Sequence, residues 1–220
     1  MGENIEREMN TSVKVRGNKG YLFSKRLIDI VGSLFGLLIC LPVIAILSIL
    51  IKLEDGGPII FKQIRVGKDG EEFYIYKFRS MRPNAEILKA ELMEQNEVEG
   101  AMFKIKDDPR VTKVGSFIRK TSLDEIPQFY NVLIGDMSLV GPRPPLVSEV
   151  AMYSDYDMQR LLVTPGLTGL WQISGRSNLS FSDMVNLDLV YIANRSTILD
   201  FKIMFKTIRN MIFVKKNGAF

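Results

Sequence analysis

The chain of 220 residues is long enough for one domain with an anchor, and its 46% hydrophobic content suffices for a packed core. It contains no histidine and one cysteine, Cys40. That excludes a Ser-His triad, a His-ligated zinc, histidine acid–base chemistry and any intramolecular disulfide. The formal net charge of +4 suits an anionic membrane or a phosphorylated substrate. The basic residues are spread along the chain rather than gathered on a recognition motif, which argues against nucleic acid. If the chain is an enzyme, carboxylates, Lys, Arg, Tyr or Ser do the work, and a hard oxygen-ligated ion such as Mg²⁺ is the natural metal.

Residues 1 to about 20 are polar and mixed in charge, as in a mobile tail or a loosely docked segment. Residues 30–51 form an uncharged apolar run of 22 residues, the length that crosses a bilayer. Pro42 stands near its middle and favours a kink or break. Basic residues flank the run on both sides, Lys25 and Arg26 before it and Lys52, Lys62 and Arg65 after it. Basic flanks stay cytoplasmic. Two readings fit: a helix-break-helix hairpin entering and leaving by one face, or a spanning helix kinked at Pro42.

Residues 59–66 and 71–80 alternate around Gly67-Lys68-Asp69-Gly70 and predict a β-hairpin. Residues 84–98 predict an exposed helix, and residues 107–121 a turn at Asp108-Pro109 followed by a short basic helix. Residues 126–134 predict a helix with Pro127 in its first turn, ended by Gly135. The prolines of 140–145 require an extended loop. Residues 147–163 look helical, 164–177 form a Gly-rich loop, and 180–194 a helix capped by Ser180 or Ser182. In the last stretch Ile198, Phe201, Met204, Phe205, Ile208 and Ile212 recur at helical spacing. Such a basic amphipathic helix lies in a membrane interface or packs on the core.

Polar residues of chemical interest crowd between 104 and 176. Asp124 and Glu125 are adjacent carboxylates beside a helix start. One reading is structural: Ser122 as N-cap with Glu125 three residues on forms a capping box. The other is chemical: a carboxylate held ionised near Arg119 acts as nucleophile while its neighbour holds a divalent ion that offsets phosphoryl charge. Arg143 on a proline-stiffened loop, Arg176 beside Gly175, and Lys77 and Arg79 at the end of the hairpin are candidate phosphate partners. A phosphate-binding GxxxxGK[ST] loop and a strand-GxGxxG-helix unit are both absent from the sequence.

Ordered motifs over residues 23–216 carry a resemblance: KRLID at 25–29, Pro42, YKFRSM at 76–81, TSLDEIPQ at 121–128, GDMSLVGPRP at 135–144 and PGLTGLWQ at 165–172. The chain resembles the monotopic phosphoglycosyl transferases, or bacterial sugar transferases. The resemblance implies an α+β, mostly helical fold with a re-entrant membrane helix broken at Pro42, interfacial amphipathic helices and a small β-hairpin. It divides the chain into a polar tail (1–22), the re-entrant helix (23–54) and a catalytic domain (55–220) on the cytosolic face of the bacterial cytoplasmic membrane. By the same likeness Asp124 is the nucleophile on a UDP-sugar and Glu125 the Mg²⁺ ligand. UMP leaves, and undecaprenyl phosphate takes the hexose-1-phosphate, the first membrane step of polysaccharide or glycoconjugate synthesis. Arg119, Arg143 and Lys77 match phosphate- or nucleotide-binding positions, and Arg176 a Gly-Arg motif. The wording at 171–176 resembles members that transfer galactose- or glucose-1-phosphate. With about 20 residues before Lys25 the chain looks like a minimal catalytic form, and a homodimer is compatible with the resemblance. The competing expectation is a peripheral membrane scaffold in which Asp124 and Glu125 only cap a helix.

Overall fold

The computed structural model describes residues 12–85, 87, 88, 108–175 and 179–213. Helix α1 (Lys19–Asp55) dominates it. Asn18 caps its start by accepting the Tyr21 N–H, and Gly56 (φ 73°) ends it in the left-handed conformation. The helix runs 37 residues without interruption through Pro42. The expected helix-break-helix is therefore one continuous helix. Proline removes a single N–H, and Leu- and Ile-rich turns on both sides keep the remaining ladder. The helix also exceeds the expected 23–54 at both ends, and residues 13–16 before it are docked: Val13 packs on the core and the Arg16 N–H donates to the Ile192 carbonyl.

Strands β1 (Ile60–Val66) and β2 (Glu72–Phe78) form the predicted antiparallel hairpin, in register from Ile60 opposite Phe78 to Val66 opposite Glu72. The predicted helix at 84–98 lies largely outside the described residues. Helix α2 (Lys113–Lys120) follows, capped by Thr112. A Cβ on Gly115 would stand 1.9 Å from the Ser80 carbonyl oxygen, so only glycine allows α2 to dock on the chain leaving β2. Helix α3 (Gln128–Ile134) stops at Gly135, as expected. Its buried Asn131 accepts the Tyr76 N–H and donates to the Tyr74 carbonyl, which fastens α3 to the hairpin edge.

Two expectations change beyond this point. Strand β3 (Ser138–Val140) precedes helices α4 (Val147–Val150) and α5 (Asp155–Met158), so the helix expected over 147–163 is two single turns and a 3-10 segment. The Gly-rich loop contains strand β4 (Gly166–Thr168), parallel to β3, and helix α6 (Leu170–Ser174). A Cβ on Gly166 would sit 2.0 Å from the Gly141 nitrogen, so the two glycines create a contact that hydrophobic periodicity does not reveal.

Helix α7 (Phe181–Asn194) is capped by Ser180, with Asp183 completing a capping box. Helix α8 (Thr197–Phe213) buries Ile203 and rests Met204 on the core, yet leaves Ile198, Phe201, Phe205, Ile208 and Met211 exposed. The Ile212 side chain lies outside the described residues. Along α1, Leu27, Val31, Leu34, Phe35, Leu38, Ile39, Ile46 and Ile49 are exposed as well. Most of the apolar stretch of α1 is left unburied, unlike the core helix of a water-soluble protein.

Both ends of α1 are tied to one body. Near its start, Lys25 pairs with Asp200 of α8 at 3.1 Å and donates to the Val140 carbonyl at 2.9 Å. The Ser138 hydroxyl and the Leu139 N–H donate to Asp29. At the far end Asp55 pairs with Arg79, and Glu54 accepts the Lys113 N–H at 2.7 Å. Leu47 and Ile51 of α1, Phe78 of β2, Ile118 of α2 and Ile126 form a local apolar cluster beneath the turn that carries residues 123–125.

Candidate active site

The chain leaves α2 and reverses at Ser122, which holds φ 57° and ψ 19°, then enters a 3-10 turn, Leu123–Glu125. Left-handed geometry at a non-glycine residue is uncommon and costs energy that the surroundings must offset. Ser122 makes no side-chain capping hydrogen bond. The capping box is therefore absent, and the structural explanation for the carboxylate pair fails on geometry. The turn is fixed by Ile126, buried in the apolar cluster, and by Pro127, which opens α3.

Lys77 arrives from β2. Its ammonium donates to Glu125 Oε1 at 2.7 Å and stands 3.9 Å from Asp124 Oδ2. The Asp124 side chain is 15% exposed and that of Glu125 38%. Burial pushes the Asp124 carboxyl up to about 6; Lys77 and Arg119 work against that rise and Glu125 adds to it. For Glu125, desolvation also favours the proton. The charge and hydrogen bond of Lys77, with help from Gln128 and Arg143, outweigh it and hold the carboxyl below its usual value. Two adjacent carboxylates thus have different proton affinities because one partner cation favours Glu125.

Gln128, three residues beyond Glu125, is 3% exposed. It lies near enough to Glu125 to favour the charged form. Arg143 projects from the loop between β3 and α4, where Gly141 donates to Thr168 and Pro142 accepts from Gly166. Glu149, itself buried, holds Arg143 at 3.3 Å while accepting the Leu146 N–H. Arg119 is half-buried, its guanidinium hydrogen-bonded to no described residue, and its charge bears on both Asp124 and Asp108.

The structure thus gathers Asp124, Glu125, Lys77, Arg119 and Arg143. It separates Arg79, expected to bind phosphate: that guanidinium is buried on Asp55 and also donates to the Pro58 and Met81 carbonyls. Its role is to clamp the end of α1 to the hairpin. Arg176 lies outside the described residues. Three residues join the site that sequence reasoning did not select: Gln128, Glu149 and Arg65. Gln128 was legible, being three residues from Glu125 at helical spacing; Glu149 and Arg65 are brought in only by tertiary packing. Among the described residues no three His, Cys, Asp or Glu side chains cluster as a ready-made metal cage.

The sequence model described as bacterial sugar transferase matches residues 20–214. The chain is 53% identical to the galactosyl transferase CpsE of Streptococcus agalactiae serotype III, over 86% of this chain and 42% of that protein. It is 44% identical to the undecaprenyl-phosphate galactose phosphotransferase of Salmonella typhimurium, over 90% of this chain and 42% of that protein. The exopolysaccharide production protein ExoY of Sinorhizobium fredii is 41% identical, with 84% of each chain covered. The chain thus spans less than half the length of the first two relatives and most of the third. On the extent of the family match, and on its identity with a relative of similar span, the chain belongs to the bacterial sugar transferase family.

Proposed function

We propose that the protein is a phosphoglycosyl transferase that moves a hexose-1-phosphate from a UDP-sugar to undecaprenyl phosphate through a covalent intermediate on Asp124. The observation that carries this is the dyad's setting: a mostly buried Asp124, freed from any capping role and faced by Lys77 and Arg119. In the first half-reaction an Asp124 oxygen attacks the sugar-bearing phosphorus. The bond from that phosphorus to the bridging oxygen breaks, and UMP departs with the electron pair. In the second, an oxygen of undecaprenyl phosphate attacks the same phosphorus, and the acyl-phosphate bond breaks to restore the carboxylate. The salmonella relative's name supports the polyprenyl acceptor, and relatives named for galactose and N-acetylgalactosamine point to a hexose or its acetamido form.

The donor set suits Mg²⁺, which takes one or two carboxylates and completes its shell with substrate phosphate oxygens and water. Glu125, partly exposed and held ionised, would hold it, and the ion would offset phosphoryl charge. Lys77 sets the orientation of Glu125 and lowers the proton affinity of both carboxyls.

The re-entrant arrangement is supported by the attachment of α1 at both ends. Charged anchors at Lys25 and Asp29, and at Glu54 and Asp55, engage the same body. About 20 apolar residues separate them, a length that would otherwise set two flanks on opposite faces of a bilayer. We read this body as sitting on the cytosolic face, with the exposed apolar sides of α1 and α8 in lipid.

Membranes carrying the protein, given Mg²⁺, undecaprenyl phosphate and a panel of labelled UDP-hexoses, are expected to yield a labelled lipid and UMP. Failure to form either product across the panel would refute the transferase reading. The scaffold reading loses its account of Asp124 and Glu125, since its capping box is not formed.

A further inference from the structure

Four arginines are buried among the described residues: Arg65, Arg79, Arg110 and Arg160. Three of them meet a carboxylate, Arg79 on Asp55, Arg110 on Asp108 and Arg160 on Asp188. Arg65 meets none within ion-pair distance. Its Nη1 donates to the Pro144 carbonyl at 3.1 Å and its Nη2 to Gln63 Oε1 at 2.8 Å. Its Nε is buried without a hydrogen-bond partner among the described residues. A buried guanidinium without a contacting carboxylate is costly unless negative charge nearby offsets it.

Its position says which anion. In the hairpin register Arg65 opposes Phe73 and Lys77 opposes Phe61, so Arg65 and Lys77 share one face. The Val66 N–H donates to the Pro145 carbonyl, which with the Pro144 contact lays the end of β1 under the loop bearing Arg143. The positive charge of Arg143 bears on Arg65, as do Glu149 and Glu125. Burial, with a smaller contribution from Arg143, draws the Arg65 guanidinium down to about 10, against the pull of Glu149 and Glu125. Glu149 is the acid that pairs with Arg143 and Glu125 the one that pairs with Lys77, so Arg65 is the cation of this group without an ion pair of its own among the described residues.

We propose that Arg65 and Arg143 form the receiving site for the phosphate of the departing nucleoside monophosphate. The proposal rests on the donor reading above and deepens it. As the bond between the sugar-bearing phosphorus and the bridging oxygen breaks, that oxygen keeps the electron pair. The departing phosphate passes from one negative charge to two, while the aspartyl phosphosugar carries one. The total of three is unchanged, since the bound UDP-sugar carries two and the Asp124 carboxylate one. Donors whose interaction strengthens as charge gathers on the leaving oxygen lower the barrier. The half-exposed Arg143 is placed to supply such a donor, and the buried Arg65 adds its charge from beneath while its Nη1 holds the Pro144 carbonyl of the same loop.

The test compares UMP with uridine as ligands of the full-length protein in membranes, for wild type, Arg65→Lys, Arg65→Gln and Arg143→Lys, with UMP release from a UDP-hexose followed in parallel. Arg65→Lys keeps the charge and most of the volume but lacks the planar fork that holds the Pro144 carbonyl and Gln63, so it stays informative where the glutamine variant fails to fold. Expected are a tenfold or greater weakening of UMP in each folded variant, uridine affinity unchanged, and slower UMP release. Equal loss of UMP and uridine affinity would mean a purely structural Arg65 and overturn the proposal. UMP affinity unchanged in an active Arg65→Lys enzyme would overturn it too, while leaving the transferase reading intact. A wild type that makes no lipid-linked sugar from any donor removes the transferase reading itself, and this proposal with it.

Discussion

The Lys77 ammonium lies 2.7 Å from Glu125 Oε1 and 3.9 Å from Asp124 Oδ2, so one cation on β2 serves both members of the dyad unequally. Removing it is the sharpest test of their division of labour. With Lys77→Met, both carboxyls lose a charge that favours their ionised forms, and both proton affinities rise. In metal-free protein Asp124 is expected to titrate above its value of about 6, as read by carbonyl ¹³C NMR of labelled aspartate. UMP release should slow by roughly 10²-fold, the usual cost of losing one positioned electrostatic group. An unshifted titration would show that Lys77 does not govern Asp124.

Asp124→Asn is expected to abolish transfer while α1 still inserts. An amide oxygen of similar shape is no nucleophile at phosphorus, so UMP release should fall by about 10³-fold or more. Turnover retained in a folded, membrane-bound variant would remove Asp124 from the covalent role.

The clamp between Arg79 and Asp55 predicts a stability effect rather than a catalytic one. Its hydrogen bonds to Arg79 lower the Asp55 carboxyl below the ordinary value of 3.8. A depressed acid contributes stability above its unfolded pKa and loses it as pH falls through the lower, folded value. Limited proteolysis between residues 52 and 60 should therefore increase below about pH 4 in wild type, on the unperturbed aspartate scale. In Arg79→Met it should be high at neutral pH, with UMP affinity preserved in the molecules that remain folded. A selective loss of UMP affinity would return Arg79 to the binding site.

Gly115→Ala places a methyl group against the Ser80 carbonyl, where 1.9 Å is available. Helix α2 must shift, and overpacking of this kind costs about 1–3 kcal/mol. A lower thermal midpoint and a weaker influence of Arg119 on Asp124 are expected. An unchanged midpoint would mean that α2 is not docked through this contact.

Pro42→Ala restores the missing N–H in the middle of α1 and stiffens it. Cysteines introduced at positions 18 and 57 are expected to be labelled from the cytosolic side only in the wild-type background. In Pro42→Ala a fraction of molecules should expose one flank on the opposite face. Cytosolic labelling of both positions in the variant would show that the end anchors alone, Asp29 and Asp55 among them, hold the topology.

Much of this protein is determined by local pattern. The alternation of the hairpin, the caps at Ser180 and Gly135 and the helical spacing of 198–208 each appear as expected, because each depends on neighbours within a few residues. The absence of histidine likewise confines the chemistry to carboxylates and basic groups. Tertiary structure decided the rest. A left-handed Ser122 turned a plausible capping box into an open dyad, and only packing against the Ile126 cluster selects that backbone state. Arg79 and Arg65 look equivalent as basic strand residues, yet Asp55, 24 residues before Arg79, consumes the first, while the second, which donates to Pro144 79 residues later, keeps an Nε–H without an acceptor among the described residues. Asp124 and Glu125, an ambiguous pair in the sequence, acquire distinct proton affinities through Lys77, 48 residues before Glu125, because Coulomb interactions follow distance in space and burial, not order along the chain.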